Sequence, residues 1–387
     1  MKLEFKKLGD IATYINGYSF KPTDWSQNGK AIIRIQNLNN DNAEFNYFSG
    51  DINEKYIVKK GDILISWSAS IGVYEWNKED ALLNQHIFKV DFNKEEINKI
   101  YFKHMVSIAL NKATQFMHGS TMKHITKKYF DDIKIPVPSL EIQKNIADIL
   151  DKAIYLTSKR KEQLRELDLL VKSKFIEMFG DQNTNSKNLE KVYLKDISEL
   201  ITKGASPNWQ GIEYVDDDTQ TLFVTSENVR EGYIDLSKKK YLMDAFNEKQ
   251  KRSILNNGDF LINIVGASIG RAAQFNLDIK ANINQAVALV RIKKGLVNDK
   301  YMLEYLNSPK ALQMYKSMQV SVARANLSLQ NINDLEILLP PMELQNQFAN
   351  FVKQVDKLKF EMEKSLKELE NNFNSLMQKA FKGELFK

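Results

Sequence analysis

The chain of 387 residues contains no cysteine. That one absence excludes disulfides, thiol nucleophiles and thiolate metal sites together. Histidine is scarce too. His86, His104, His118 and His124 lie among lysines and aromatics without ligand spacing, so no metal residues are expected. No stretch of 18 apolar residues occurs, and residues 1–10 are charged where a signal peptide would be apolar. These features point to a cytoplasmic chain. Several catalytic signatures are missing as well. There is no phosphate-binding G-x-x-x-x-G-K-S/T loop and no H-E-x-x-H zinc motif. Also missing are the Asn/Asp-Pro-Pro-Tyr/Phe motif of amino-methyltransferases and a Pro-Asp dipeptide leading to a nuclease-like E-x-K. One segment, Gly266-Ala267-Ser268-Ile269-Gly270, fits the G-x-S-x-G elbow of hydrolases. That fold needs a histidine after the serine, and all four histidines precede it. The expectation is therefore a chain with no catalytic residues, and a turn bounded by glycines at 266–270.

Charge is present in modest excess. The net charge is +6, with 28 basic against 25 acidic residues in 1–190 and 27 against 24 thereafter. A mild positive balance shared evenly by both halves permits nucleic-acid binding without establishing it.

The dominant positive feature is that the sequence is written twice. Leu8-x-Asp10-Ile11 returns as Leu194-x-Asp196-Ile197, and Gly61-Asp62-Ile63-Leu64-Ile65 as Gly258-Asp259-Phe260-Leu261-Ile262. Ala69-Ser70-Ile71-Gly72 returns as Ala267-Ser268-Ile269-Gly270, and Asn84-Gln85 as Asn284-Gln285. Pro138-Ser139-Leu140-Glu141-Ile142-Gln143 returns as Pro340-Pro341-Met342-Glu343-Leu344-Gln345. The offset drifts from 186 to 200 through the first part of each copy, as loop insertions produce, then stays at 202 from Pro138 onward. A segment that tolerates no insertion is most simply a continuous helix, because one added residue turns its apolar stripe by ~100°.

Within each copy, short apolar runs bounded by turn signals predict strands at 31–35, 62–67, 87–90 and 133–138, and again at 221–225, 259–265, 286–292 and 335–339. Helices are expected over 98–113 and 299–318. The fixed-offset segments carry stripes at 3–4 spacing. The first runs through Ile146, Leu150, Leu156, Leu164, Val171 and Met178, the second through Phe348, Val352, Leu358, Leu366, Phe373 and Ala380. Each such helix is about 40 residues and ~60 Å long, more than one globular unit can cover, so the two are expected to pair as a coiled coil. If they run antiparallel, a pseudo-twofold axis relates two readers, an arrangement suited to duplex DNA with half-sites ~34 Å apart.

Polar clusters recur at loop positions of the two copies. Ser19 and Lys21 correspond to Lys203 and Ser206, and Arg34 and Asn37 to Ser226 and Asn228. Ser68 and Ser70 correspond to Ser268, which Arg271 follows, and His86 follows Asn84-Gln85. Ser120, Thr121, Lys123 and His124 correspond to the stretch holding Arg324 and Asn326. These side-chain types bond base edges and phosphates, and they also cap turns and finish strand edges. Asn84-Gln85 is identical in both copies, which favours a structural role. His86 against Ala286, and Lys123 against Ala325, differ as two unlike half-sites would require.

The duplicated plan, the Gly-Asp-Ile-Leu-Ile segment, the stretch Gly119-Ser120-Thr121-Met122-Lys123-His124-Ile125-Thr126 and the two Pro-x-Leu/Met-Glu-Ile/Leu-Gln helix starts together resemble the specificity subunit of type I restriction-modification systems. The resemblance covers essentially the whole chain. Copy two departs from it at 321–328, where the Gly-Ser/Thr-Thr pattern is lost. It implies an α+β chain: two mixed α/β target recognition domains related by an internal repeat, joined by two long antiparallel helices that form a coiled coil. The implied division is 1–138 and 193–339 for the domains, 139–180 and 340–382 for the helices, and 181–192 for a linker. It further implies a non-catalytic chain that reads a two-part asymmetric site on double-stranded DNA. Two methyltransferase subunits would dock on it, with restriction subunits joining through them. No cofactor is expected in this chain; S-adenosylmethionine, ATP and Mg belong to the partners. The competing reading is a protein-interaction scaffold without DNA contact.

Overall fold

The computed structural model describes residues 4–115, 125–318 and 326–385. It divides into two units, Met1–Glu162 with Glu363–Lys387, and Gln163–Met362. Each contains one copy of the globular repeat and the opposite ends of the two long helices, Leu140–Phe179 and Met342–Lys382.

The first unit opens with Phe5–Lys7, which pairs antiparallel with Lys134–Pro136. A four-stranded antiparallel sheet has the order Thr13–Asn16, Ile87–Asp91, Ile63–Ser66, Gly72–Glu75. A second sheet has the order Asn46–Phe48, Lys30–Ile33, Ala81–Leu83, Ile57–Val58, with a parallel pairing at its centre. The second unit repeats this plan. Glu190–Tyr193 pairs with Glu336–Leu339, and the antiparallel sheet runs Ser198–Lys203, Val287–Ile292, Phe260–Asn263, Ala272–Gln274. Thr221–Val224 and Ala281–Ile283 form its parallel pair. The edge strand Ile57–Val58 shrinks in the second unit to a single bridge between Ile254 and Asn282.

The repeated motifs have identifiable jobs. Gly61 and Gly258 both hold positive φ, 88° and 98°, conformations that cost a side chain little only when it is glycine. The next residue, Asp62 or Asp259, accepts the backbone N–H of Lys59 or Asn256 at 2.9 and 2.7 Å. Each pair therefore closes the turn that feeds the central strand. The helix-start glutamines bridge two elements. Gln143 is buried, donates to Pro138 O at 2.8 Å and accepts from the Asn98 N–H at 2.9 Å. Gln345 is buried likewise, with Pro340 O and the Asn298 N–H each at 2.8 Å. A single side chain thus satisfies the carbonyl before a long helix and an orphan N–H at the start of the crossing helix. Tyr101 and Tyr301, fully buried on those crossing helices, donate to Pro136 O and Leu338 O.

The long helices pair antiparallel within each unit. In the first, Ile146, Ala147 and Leu150 share a core with Phe373, Leu376, Met377 and Ala380, and Lys161 reaches Glu370 at 2.8 Å. In the second, Phe175 and Phe179 pack edge-on against Phe348, with Val171 and Val352 in the same core. The shared stripes are thus buried at both ends. Leu156 and Leu358, placed in the stripes by their spacing, are exposed instead.

Some elements depart from the expected ones. The run 31–35 is a strand only to Ile33, because Arg34 starts a short helix, Ile35–Asn39. The single helix expected over 299–318 is two, Asp299–Leu306 and Pro309–Ser317. Ser308 caps the second by accepting the Ala311 N–H, and Pro309 fits the first turn, where its missing N–H costs nothing. The strand Glu190–Tyr193 begins inside the stretch read as linker. Among the described residues no helix is long and apolar enough to cross a membrane.

Candidate nucleic-acid interface

In the first unit three loop segments meet at one end of the antiparallel sheet. Gly17 N–H donates to Ile87 O at 3.3 Å, Tyr18 N–H to Leu83 O at 2.8 Å, and Gln85 N–H returns to Tyr18 O at 3.0 Å. Trp67 N–H donates to His86 O, and its ring lies 5.5 Å from the His86 imidazole. The approach is possible because residue 17 is glycine: a Cβ there would sit 2.1 Å from Asn84 O. This arrangement brings together exposed Ser19, half-buried Ser68, exposed Ser70 and exposed His86. The backbone bends sharply at Ala69, with φ 56°, and the Ser66 hydroxyl donates to Ser70 O.

The second unit repeats the junction. A Cβ at Gly204 would fall 1.8 Å from Ile283 O, the same squeeze that Gly17 makes. The buried Asn263 amide donates to Ser226 O at 3.0 Å, Val229 O at 3.2 Å and the Ser268 hydroxyl at 3.2 Å. Ile264 N–H donates to Ala286 O, and Leu327 N–H to Ile264 O, which places exposed Asn326 beside the same edge. Lys203 and Arg271 are exposed, and Ser206, Ser226 and Ser268 half-buried.

Two candidates leave the set. Asn37 is 3% exposed; its oxygen accepts the Arg34 N–H and its amide donates to Ala43 O and Glu44 O. Asn228 is buried likewise, accepting from Thr225 N–H and donating to Asp235 O and Lys238 O. Both amides are consumed in holding an adjacent loop, so neither can offer a bidentate pair to a base. Asp235, in the loop Asn228 holds, keeps its carboxyl below the usual range through hydrogen bonds from Ser237. Arg34 lies half-buried, donating to Asn46 at 3.0 Å, with its guanidinium 5.7 Å from the Trp25 ring. Lys21 is exposed at the start of the turn Pro22–Asp24. Ser120, Thr121, Lys123, His124 and Arg324 lie outside the described residues.

The Asn84 and Asn284 side chains accept the N–H two residues on, at 3.4 and 3.2 Å, so the repeated Asn-Gln pair shapes a turn in both copies. The Gly266–Ser268 segment is a turn between glycines of positive φ, 78° and 86°. What single-residue inspection of the polar clusters passes over is aromatic. Tyr18, Phe20, Tyr56 and Phe48 form an edge-on chain with centroids 4.9–5.7 Å apart beside the first junction. The Tyr18-Ser19-Phe20 alternation is its only mark in the sequence.

Comparison with known proteins agrees with this duplicated architecture. The profile described as type I restriction modification DNA specificity domain matches residues 2–166 and 186–371, once for each copy. The chain is 26% identical to the type I restriction enzyme EcoBI specificity subunit of Escherichia coli, over 98% of this chain and 85% of that one. It is 21% identical to the MjaVIII specificity subunit of Methanocaldococcus jannaschii, over 99% and 92%. Among solved structures, a chain of a type I R-M system studied for complex assembly and conformational transition superposes with a TM-score of 0.63 at 16% identity, covering 99% of this chain and 98% of its own. The S subunit from M. genitalium gives 0.52 at 13% identity, over 98% and 96%. The chain belongs to the family of type I restriction-modification DNA specificity subunits and serves DNA sequence specificity in that system.

Proposed function

We propose that each globular unit reads one half of a two-part, asymmetric DNA site, and that the long helices fix the gap and dock two methyltransferase subunits. The observation that carries the first half is the duplicated junction. The same glycine squeeze and the same loop convergence recur in both units, while the side chains exposed there differ. The first offers Ser19, Ser70 and His86, the second Lys203, Arg271 and Asn326. One frame with two side-chain sets suits two unlike half-sites, because frame contacts position a reader while exposed side chains discriminate bases. Lys21, Arg34, Ser68, Ser206, Ser226 and Ser268 serve as phosphate or edge contacts around them. Methyltransferase docking is supported by apolar side chains left in solvent on the long helices: Ile154, Tyr155 and Leu156 on one, Leu358 and Phe360 on the other. Apolar surface of this kind is characteristic of partner interfaces.

In this reading the chain performs no chemistry. The methyltransferase partners bind S-adenosylmethionine and modify adenine N6 after flipping the base. Restriction subunits, which use ATP and Mg, join through them. The test is a helix of altered length. Removing four residues from the exposed middle of Leu140–Phe179, with the matching cut in Met342–Lys382, shortens the rod by ~6 Å, close to two base pairs of duplex. The methylated site should then show a gap changed by that amount. An intact complex that methylates the original gap would refute the ruler.

A further inference from the structure

Among the described residues Trp209 is the most exposed large apolar side chain, at 91%. Trp76 by comparison is buried, and Trp25 is less than half exposed beside Arg34. Among the described residues, no ring or hydrogen-bonding group pairs with the Trp209 indole. Leaving an indole in water forfeits much of the stabilisation that aromatic burial supplies, so a ligand that covers it gains that stabilisation.

The turn that carries Trp209 is held rigidly. Gln210 N–H and Ile212 N–H both donate to Pro207 O, at 2.9 and 3.1 Å, and Gly211 N–H donates to Asn208 O. Gly211 takes φ 67°, a left-handed cap that only glycine adopts freely. Lys249 Nζ donates to Gln210 O at 2.7 Å. On the inner side, Ile212 and Ala205 pack into the cluster of Phe223, Leu242 and Phe246. The base of the loop is pinned at Gly204, against Ile283 and Asn284, within the junction described above. The turn is thus a fixed bracket with its apolar inner face satisfied and one indole facing out.

Resting on the DNA-reading function proposed above, we infer that Trp209 is a DNA-contacting wedge of the second unit. It stacks on a base or levers a base step at the half-site that unit reads. The flanking exposed Lys203 and Lys249 supply phosphate contacts, whereas exposed Glu213 beyond them means that charge alone does not choose the ligand. The flat, polarizable face does, since every base presents a π-surface to it and unstacking a step admits an apolar wedge. In the first unit the junction aromatics Tyr18, Phe20 and Phe48 pack on one another, and Trp25, after the turn Pro22–Asp24, is partly covered by Arg34.

The test uses the chain assembled with its methyltransferase subunits and a short duplex bearing the site identified by methylation sequencing. Subtracting the emission of a Trp209→Phe complex from that of the unaltered complex isolates the Trp209 signal. This difference should be quenched on adding the duplex and unchanged by assembly with the methyltransferases. Trp209→Ala should weaken binding about tenfold or more, as loss of one base-stacking aromatic does, and Trp209→Phe should lose less. If the unaltered complex binds the site selectively while the difference emission stays flat, the wedge is refuted and DNA reading stands. If the emission responds to the methyltransferase subunits and not to the duplex, Trp209 is a protein contact and the wedge is likewise refuted. If the unaltered complex binds no duplex selectively, the functional reading itself fails and the wedge with it.

Discussion

At the same place on the crossing helix, six residues after its capping asparagine, the first unit has His104 and the second Glu304. His104 is 4% exposed and sits 2.8 Å from the Asp151 carboxylate. Burial lowers its pKa below the usual 6.5, against the upward pull of Asp151. Glu304 lies in a cleft of about 510 Å³ with Asp168, Lys172, Glu231, Lys300 and Asp356. Burial raises its pKa above 4.5, opposed by Lys172 and assisted by Glu231 and Asp168. One frame therefore carries two opposite titrations. What is duplicated is the set of groups that closes the frame, namely Gln143 and Gln345, Gly17 and Gly204, Asn37 and Asn228. What has diverged is whatever the frame can hold without moving.

The sharpest way to separate the units is the Arg291–Asp259 pair, which the first unit lacks. Arg291 donates through Nε and Nη2 to the two Asp259 oxygens at 2.8 and 2.7 Å, and these bonds raise the Arg291 pKa. Asp259 is buried, so Arg291→Met strands a carboxylate. The second unit should lose about 3 kcal/mol, visible as one melting transition falling while the other stays. Next in size, Gln143→Ala and Gln345→Ala each orphan a buried N–H and a carbonyl. Each should cost about 2 kcal/mol, in the first and second unit respectively. Unequal losses in a denaturant titration would break the equivalence of the two helix starts.

The pH comparison is smaller. A base whose folded pKa is depressed loses stability as pH falls below its unfolded value, since the unfolded chain then binds the proton more readily. An acid whose folded pKa is raised loses stability as pH rises from its unfolded value through the folded one. As pH falls from 7 towards 4.5 the His104 contribution should therefore weaken the first unit, while that of Glu304 strengthens the second. His104→Gln should flatten the first trend and leave the second. Parallel melting curves across that range, unaffected by the substitution, would contradict the assignment. The smallest effect is expected at Ala69, which holds a left-handed φ of 56° without being glycine. Ala69→Gly should stabilise the first unit by about 0.5–1 kcal/mol through relief of strain, read as a small rise in its melting temperature.

The repeat and the long helices are legible because each depends on spacing, whereas the direction of their pairing is not, since the apolar stripes fit either one. A constant offset of 202 reports an element that admits no insertion. The break at Ser308-Pro309 was written in the sequence as a cap followed by a first-turn proline, but the apolar periodicity of 299–318 masks it. The strand predicted through Ile35 stops at Ile33 because Asn37 accepts the Arg34 N–H and donates to Ala43 O and Glu44 O, a turn that the spacing of Ala31, Ile32, Ile33 and Ile35 does not reveal. The interface was legible as a set of loops and illegible as a set of roles. Asn37 and Asn228 have the chemistry of base readers and spend it on carbonyls, which only the fold reveals. Trp209 has no polar signature at all and stands out only once the cores are known.

Two unlike readers on one frame are proposed above to specify a single gapped site. Long-read methylation sequencing of host DNA with the gene intact, with it deleted, and with Lys203→Ala/Arg271→Ala in the second unit tests that proposal most directly. N6-methyladenine should vanish from one two-part motif on deletion. In the double substitution, only one half of that motif should relax, with the other half and the gap unchanged. A methylome indifferent to deletion, or a double substitution that alters both halves together, would contradict it.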